Sequence, residues 1–457
     1  MPRTRESEAL ALGHAADAAH SRPGSSSAMH ARAVLRLLFG PGDERTFATR
    51  LWDGTMEGPF AHPDFTLELR NVEGLRRALL PPSELALAQA FIRGDIAVRG
   101  DLEAAVGLVD LFADRVYAGA SFLRLLPHLL ALPRRASRRS EPMRSANGVR
   151  AVGRPHEEAR DEAAIRFHYD VGNDFYGLWL DRRMVYSCAY FPTGTETLDD
   201  AQEAKLDLVC RKLKLRGGER LLDIGCGWGA LVRHAAGQYG AQVTGITLSE
   251  GQAALARSAI AEDGLGDRAR VTLCDYRRLV ESHGFDRIAS VGMVEHVGRA
   301  RLGEYFRKAF DLLRPGGLFL NHSIVALDDA RPRSVRDRIM DRLWRRSEFI
   351  YQHVFPDGEI LPLADTVRAA EGAGFETRHA ESLREHYTLT LRHWLRRLDA
   401  ARPEAVALVG ETMHRVWRLY LAASARAFDT GRLGVVQVLF ARPDFDGPPA
   451  FRGQLRR

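Results

Sequence analysis

From residue 31 onward, apolar and polar positions alternate in stretches that predict folded elements. Thr66-Leu67-Glu68-Leu69-Arg70 changes sides at every residue, the period of a half-buried strand. Residues 75–80 read as a short helix stopped by Pro81-Pro82, because proline lacks the amide that a helix interior needs. Ser83 can cap the next helix, 85–93, and Gly94 can end it. Residues 101–112 are again helical. Together, 31–132 form a small α+β domain. After Glu162 the rhythm becomes strand, helix, strand, with strands expected at 220–224, 242–247, 270–273, 287–291 and 318–324 and helices such as 251–262 and 301–313 between them. That alternation predicts a parallel sheet covered by helices on both faces. A helix at 363–372, a strand at 375–381, helices at 389–401 and 404–427 and a strand at 435–440 extend it.

The segments between these patterns carry other signals. Residues 1–30 are rich in Ala, Ser and Gly with little periodicity and are expected to be a disordered tail, and 444–457 form a C-terminal tail. Residues 133–161 read as an exposed linker holding Arg134, Arg135, Arg138 and Arg139. It can be a solvated tether or a contact for anionic headgroups, worth about 1 kcal/mol per charge.

Composition narrows the classes. The 457 residues are 45% hydrophobic and 27% charged, ordinary for a globular protein. The greasiest stretch, 122–132, is short and broken by Arg124, Pro127 and His128, so no membrane span is predicted. The first 30 residues lack the apolar block of a secretory signal. Four scattered cysteines without a CxxC pair argue against zinc and disulfides and fit a reducing cytoplasm. Net charge is +6, and only four of the 65 basic residues are lysines. Arginine binds phosphate bidentately, so that excess can serve anionic lipid or nucleic acid, or reflect coding bias alone; no nucleic-acid partner is expected.

Chemistry first appears at Leu221-Leu222-Asp223-Ile224-Gly225-Cys226-Gly227-Trp228-Gly229, where a buried strand runs into a glycine loop and a helix. Glycine lets the backbone approach a ligand, and the helix start offers free N–H groups. The spacing G-x-G-x-G differs from the G-x-G-x-x-G of dinucleotide binders. The next strand ends in Ile246-Thr247-Leu248-Ser249, without an acid at the usual ribose position. The third ends in Cys274-Asp275-Tyr276, where Asp275 can accept from an adenine amine beside Tyr276, or can simply cap a tight turn. These features resemble class I S-adenosylmethionine-dependent methyltransferases, with a Rossmann-like sheet.

Four further segments, with the glycine loop, sharpen the resemblance. His168-Tyr169-Asp170-Val171-Gly172-Asn173-Asp174-Phe175-Tyr176, Tyr186-Ser187-Cys188-Ala189-Tyr190-Phe191, the glycine loop, Gly292-Met293-Val294-Glu295-His296-Val297-Gly298 and the 351–356 segment resemble cyclopropane-fatty-acyl-phospholipid synthases and the related mycolic acid cyclopropane synthases. The likeness spans 162–443, the expected catalytic domain. The 31–132 domain, with Ala90-Phe91-Ile92-Arg93-Gly94-Asp95, is similar to the lipid-contacting domain of the phospholipid enzymes.

The resemblance implies an enzyme loosely attached to the inner face of the membrane that adds a methylene to a cis double bond of a phospholipid acyl chain. It implies a bound bicarbonate as base, held by Cys188, Glu295, His322, Ile324 and Tyr387. It further implies cofactor contacts from Tyr186, Ser187, Gly225, Gly227, Thr247, Leu248, Gln252, Asp275 and Tyr276, no metal, and a possible homodimer. Tyr169, Tyr186, Phe191, Tyr351 and Phe355 are candidates to stabilise a carbocation, with core packing as the alternative for each. Methylene- or methyl-branched products, and a lipid protein that binds S-adenosylmethionine without chemistry, stay open.

Overall fold

The computed structural model describes residues 26–59, 61–117, 120–133, 160–161, 163–164, 168, 171–280, 283–327 and 348–444. The sequence-predicted tails, the linker residues Arg134, Arg135, Arg138 and Arg139, and Tyr169 lie outside the described residues, apart from the last five positions of the N-terminal tail and Asp444. The end of the linker is not exposed as predicted: Arg160 is buried and pairs with Asp357, whose buried carboxylate needs a cation. The chain divides into two compact units, residues 1–143 with 347–349, and residues 144–346 with 350–457.

In the first unit, strands β1 (Ala48–Arg50), β2 (Met56–Glu57), β3 (Phe65–Leu69) and β4 (Ile96–Gly100) form a sheet in the order β2-β1-β3-β4. Only β1 and β3 are parallel. The local signals act as read: Ser83 Oγ accepts from the Ala86 amide at 3.1 Å, and Gly94 ends that helix at φ 79°. Residues 26–30 correct the tail prediction, because a helix already starts at Ser26 and runs to Phe39. Its buried stripe is Ala28, Ala31, Val34, Leu35 and Leu38. Alanine fills the first two of these five positions, which made the start look like unpatterned tail.

The second unit is built on β5 (Arg220–Ile224), β6 (Gln242–Thr247), β7 (Ala269–Leu273), β8 (Phe285–Val291), β9 (Leu313–Ala326), β10 (Leu361–Pro362), β11 (Glu376–Ser382) and β12 (Leu433–Ala441). The order is β11-β12-β9-β8-β5-β6-β7, with β10 paired to the end of β9. Strands β5 to β9 are parallel, as expected, whereas β12 runs antiparallel between β9 and β11. An apolar run marks a buried strand but carries no direction, so the sequence left this reversal unread. Both faces of the sheet are covered: Leu221 and Leu320 pack into one core, their neighbours Leu222 and Phe319 into the other. The helix Arg384–Ala400 begins earlier than predicted and takes in Tyr387, and the helix Arg402–Asp429 is broken at Gly410, φ 77°.

Close packing under the glycine loop gives a test. A Cβ on Gly245 of β6 would lie 2.7 Å from Val232 Cγ2 and 2.8 Å from Cys226 Sγ. Gly245→Ala should lower unfolding stability by about 1–3 kcal/mol, measured by urea denaturation.

Candidate active site

The carboxyl ends of β5, β6 and β7 open onto one cavity. All nine residues expected to hold the cofactor line it: Tyr186 and Ser187 on one side, Gly225 and Gly227 below, Thr247, Leu248 and Gln252 beyond, and Asp275 with Tyr276 at the far wall. Gly225 and Gly227 both have positive φ, 78° and 54°. Met293 packs against Gly225, where a Cβ would fall 2.5 Å from its Cγ, while nothing lies within 4 Å of a Cβ built on Gly227. The first glycine is required by a neighbour, the second leaves room for a ligand. Thr247 Oγ1 donates to Gln252 Oε1 at 2.8 Å, so this pair is already oriented.

Asp275 is on the wall, but its carboxylate accepts from the Arg277 amide at 2.8 Å and from the Arg277 guanidinium at 2.6 and 2.9 Å. The turn-capping alternative is therefore what its hydrogen bonds show. An adenine amine would have to share this carboxylate with Arg277.

Two residues on the wall escaped the sequence reading. Lys205 is buried and donates to Ser187 Oγ at 3.0 Å, and Asp223 ends the same wall. Burial pushes Lys205 down to about 8 and Asp223 up to about 7. Between those values both are charged, a complement for the zwitterionic end of an amino acid. The available signal was Lys205 itself, one of four lysines in a chain that otherwise uses arginine. An ammonium can lose its proton when buried, which a guanidinium does not.

The five catalytic candidates stand beside this cavity rather than on its wall. Strand β8 ends with Val291 opposite His322, and β10 begins opposite Val325. Between them the Ile324 amide has no strand partner, and it donates to Glu295 Oε1 at 2.6 Å. The second oxygen, Oε2, is buried with no hydrogen-bond partner among the described residues. Burial raises the Glu295 carboxyl to about 7. His322 lies two residues before Ile324, on the same face of β9. Its Nδ1 meets Gln437 Nε2 at 3.1 Å, its Nε2 is likewise buried and unpartnered, and burial lowers it to about 3. Cys188 Sγ and the Tyr387 amide both approach the Leu383 carbonyl, at 3.7 and 3.1 Å. The Leu383 amide donates to Val435, the residue opposite Ile324. All five are thus tied, directly or through Leu383, to the end of the β9–β12 pair. Burial pushes the Cys188 thiol up, so it is not a thiolate nucleophile.

The aromatic candidates separate. Tyr186 and Phe355 both stack on His168, with centroids at 5.6 and 3.9 Å. Trp179, Trp394 and Trp417, which the sequence reading did not single out, close around Tyr186. Phe191 stacks instead on His393 at 5.5 Å, and Tyr351 donates to Asp357 at 2.6 Å. Among the described residues no group of three acidic, histidine or cysteine side chains could hold a metal.

The sequence signature of mycolic acid cyclopropane synthetase matches residues 156–438, well over half of the chain. The chain belongs to this family. A probable fatty acid methyltransferase of Pseudomonas putida is 39% identical over 398 residues, 87% of this chain and 92% of that protein. The cyclopropane mycolic acid synthase MmaA2 of Mycobacterium tuberculosis is 36% identical over 61% of this chain and 96% of its own length. The solved structure of MmaA2 matches with a TM-score of 0.57 at 35% identity, covering 61% of this chain and 98% of that one. The cyclopropane synthase CmaA1, solved with SAH and CTAB, matches with the same TM-score at 34% identity and the same coverage. The protein is therefore an S-adenosylmethionine-dependent methyltransferase of the cyclopropane synthase family, acting on lipid. The P. putida match is too long to be confined to the second unit, whereas the mycobacterial synthases match about the length of that unit.

The raised carboxyl of Glu295 predicts a stability signature. An ordinary glutamate titrates near 4.5, and Glu295 at about 7. Between those values the unfolded chain releases its proton while the folded protein keeps it, so stability falls as pH rises through the window. Glu295→Gln stays neutral throughout. At pH 8 the variant should be more stable than wild type by on the order of 3 kcal/mol. At pH 5 the gap should nearly close, which urea denaturation at the two pH values would show.

Proposed function

We propose that this enzyme adds a methylene from S-adenosylmethionine across a cis double bond of a phospholipid acyl chain and closes a cyclopropane ring. The observation that carries this reading is a pair of buried atoms without a hydrogen-bond partner among the described residues, Glu295 Oε2 and His322 Nε2, beside the cavity. An alkene accepts the methyl group with its π electrons, leaving a carbocation on the neighbouring carbon and S-adenosylhomocysteine. Ring closure then requires a proton to leave the new methyl group. Methyl transfer to oxygen or nitrogen needs no such dry polar pocket.

The residues fit a small oxyanion that carries one proton. Glu295 Oε2 can accept an O–H, neutral His322 can donate from Nε2, and the Tyr387 hydroxyl can donate as well. When bound there, bicarbonate would supply the base for that last proton. Tyr186 and Phe355, stacked with His168, offer aromatic faces for the cation, worth about 0.5–2 kcal/mol each.

The phospholipid assignment draws on the first unit. Glu57 and Glu68 are buried, and each is surrounded by three arginines: Arg32, Arg36 and Arg45 around the first, Arg50, Arg70 and Arg99 around the second. All but Arg45 are partly or largely exposed. Six guanidinium groups on two carboxylates leave an excess of positive charge that suits an anionic lipid surface. No described helix is long and apolar enough to cross a membrane.

The test incubates purified protein with S-adenosylmethionine and vesicles of a cis-monounsaturated phospholipid, followed by mass analysis of the acyl chains. A gain of one CH2 with loss of the double bond is expected. The same gain with a surviving double bond would replace the ring by a methylene-branched product. No gain would overturn the reading. Glu295→Gln should lower turnover at least about 100-fold with cofactor affinity nearly unchanged, as expected for loss of a group that acts in the transition state.

A further inference from the structure

Glu381, Gln437 and His322 face one another in register across β11, β12 and β9. Directly opposed residues on adjacent strands point to the same side of a sheet, so the three side chains form a row. Lys212, in the last turn of the helix Leu198–Lys212, reaches this row from above the sheet. Its ammonium donates to Glu381 Oε2 and, at 2.6 Å, to Gln437 Oε1. The Gln437 amide nitrogen then meets His322 Nδ1 at 3.1 Å. Gln437 is 1% exposed and His322 2%, while the Glu381 side chain is 35% exposed.

Each link has a fixed polarity. An ammonium only donates, so the oxygen of Gln437 faces Lys212 and its NH2 faces His322. An amide NH2 only donates, so His322 Nδ1 carries no proton. A neutral imidazole has one N–H, and it is therefore on Nε2, the buried atom that has no partner among the described residues. We infer that Glu381, Lys212 and Gln437 are positioning residues that fix His322 as its Nε2–H tautomer and so hold a hydrogen-bond donor in the base pocket. The tautomer follows from the relay alone, and its catalytic use rests on the function proposed above.

The inference separates Gln437 from ordinary core packing, because replacements of similar size have opposite effects on the proton. In Gln437→Glu one carboxylate oxygen keeps Lys212 and the other accepts a hydrogen bond, so the proton moves to Nδ1 and leaves Nε2 bare. In Gln437→Met nothing selects a tautomer. In Lys212→Met the Gln437 amide is free to turn over.

The test is long-range 15N–1H correlation spectroscopy on the full-length protein labelled with 15N-histidine, with His322→Asn to assign the signal. Wild type should show a protonated Nε2 and a bare Nδ1. Gln437→Glu should show the reverse, and Gln437→Met and Lys212→Met a mixture. Turnover of Gln437→Glu should fall about 10–100-fold, the range for removing a group that orients an imidazole through its other nitrogen. Cofactor affinity, measured by calorimetry, should not change. A protonated Nδ1 in wild type would overturn the inference, as would an unchanged tautomer in Gln437→Glu. A reversed tautomer with unchanged turnover would overturn the positioning role. If Gln437→Glu does not fold, Lys212→Met carries the same comparison. The spectrum is read without substrate, so failure of the lipid assay leaves it intact and the two readings fail separately.

Discussion

One unmet backbone amide organises the reaction centre. Strand β9 outruns β8, and β10 covers only its last residues, so the N–H of Ile324 falls in the gap. A buried amide must find an acceptor, and a carboxylate from the turn after β8 supplies it. That requirement pulls Glu295 off the solvent and leaves its other oxygen buried with no partner among the described residues. Met293 and His296, close to Glu295 in the chain, line the cavity at the ends of β5, β6 and β7. One short segment therefore carries both cavity-lining side chains and the buried Glu295 carboxyl.

The nine residues expected at the cofactor were readable as one group because their signals are local. A glycine loop, two strand ends and a turn each occupy a few consecutive residues, and all nine expected residues meet at one cavity. The rest of the site depends on pairing across strands. Nothing near Gln437 in the chain announces that it will lie opposite His322, 115 residues away. Lys205 and Asp223 were hidden for a related reason, since a lone lysine and an acid within an apolar strand acquire meaning only when burial brings them to one wall. Asp275 shows the converse. Its position was legible, but its partner Arg277, two residues on, already holds the carboxylate.

Elements were read more readily than their direction or their ends. Strands β5 and β6 fall where apolar runs placed them, and the cap at Ser83 and stop at Gly94 act as their chemistry dictates. The antiparallel β12 and the early start of the helix bearing Tyr387 are tertiary outcomes. Both matter to the site. Reversal of β12 is what sets Val435 against Ile324 and Gln437 against His322.

A sheet covered on both sides also shapes how such a chain can change over time. Leu221 and Leu222 are consecutive, yet they belong to different interiors and share few neighbours. Substitutions at the two should act independently, each answered by compensation elsewhere. The answering positions are remote in the chain: Leu221 shares its interior with Ala256 and Leu439, Leu222 with Phe306 and Phe440. Drift along each strand would then be written as two interleaved records, odd and even positions evolving with different partners.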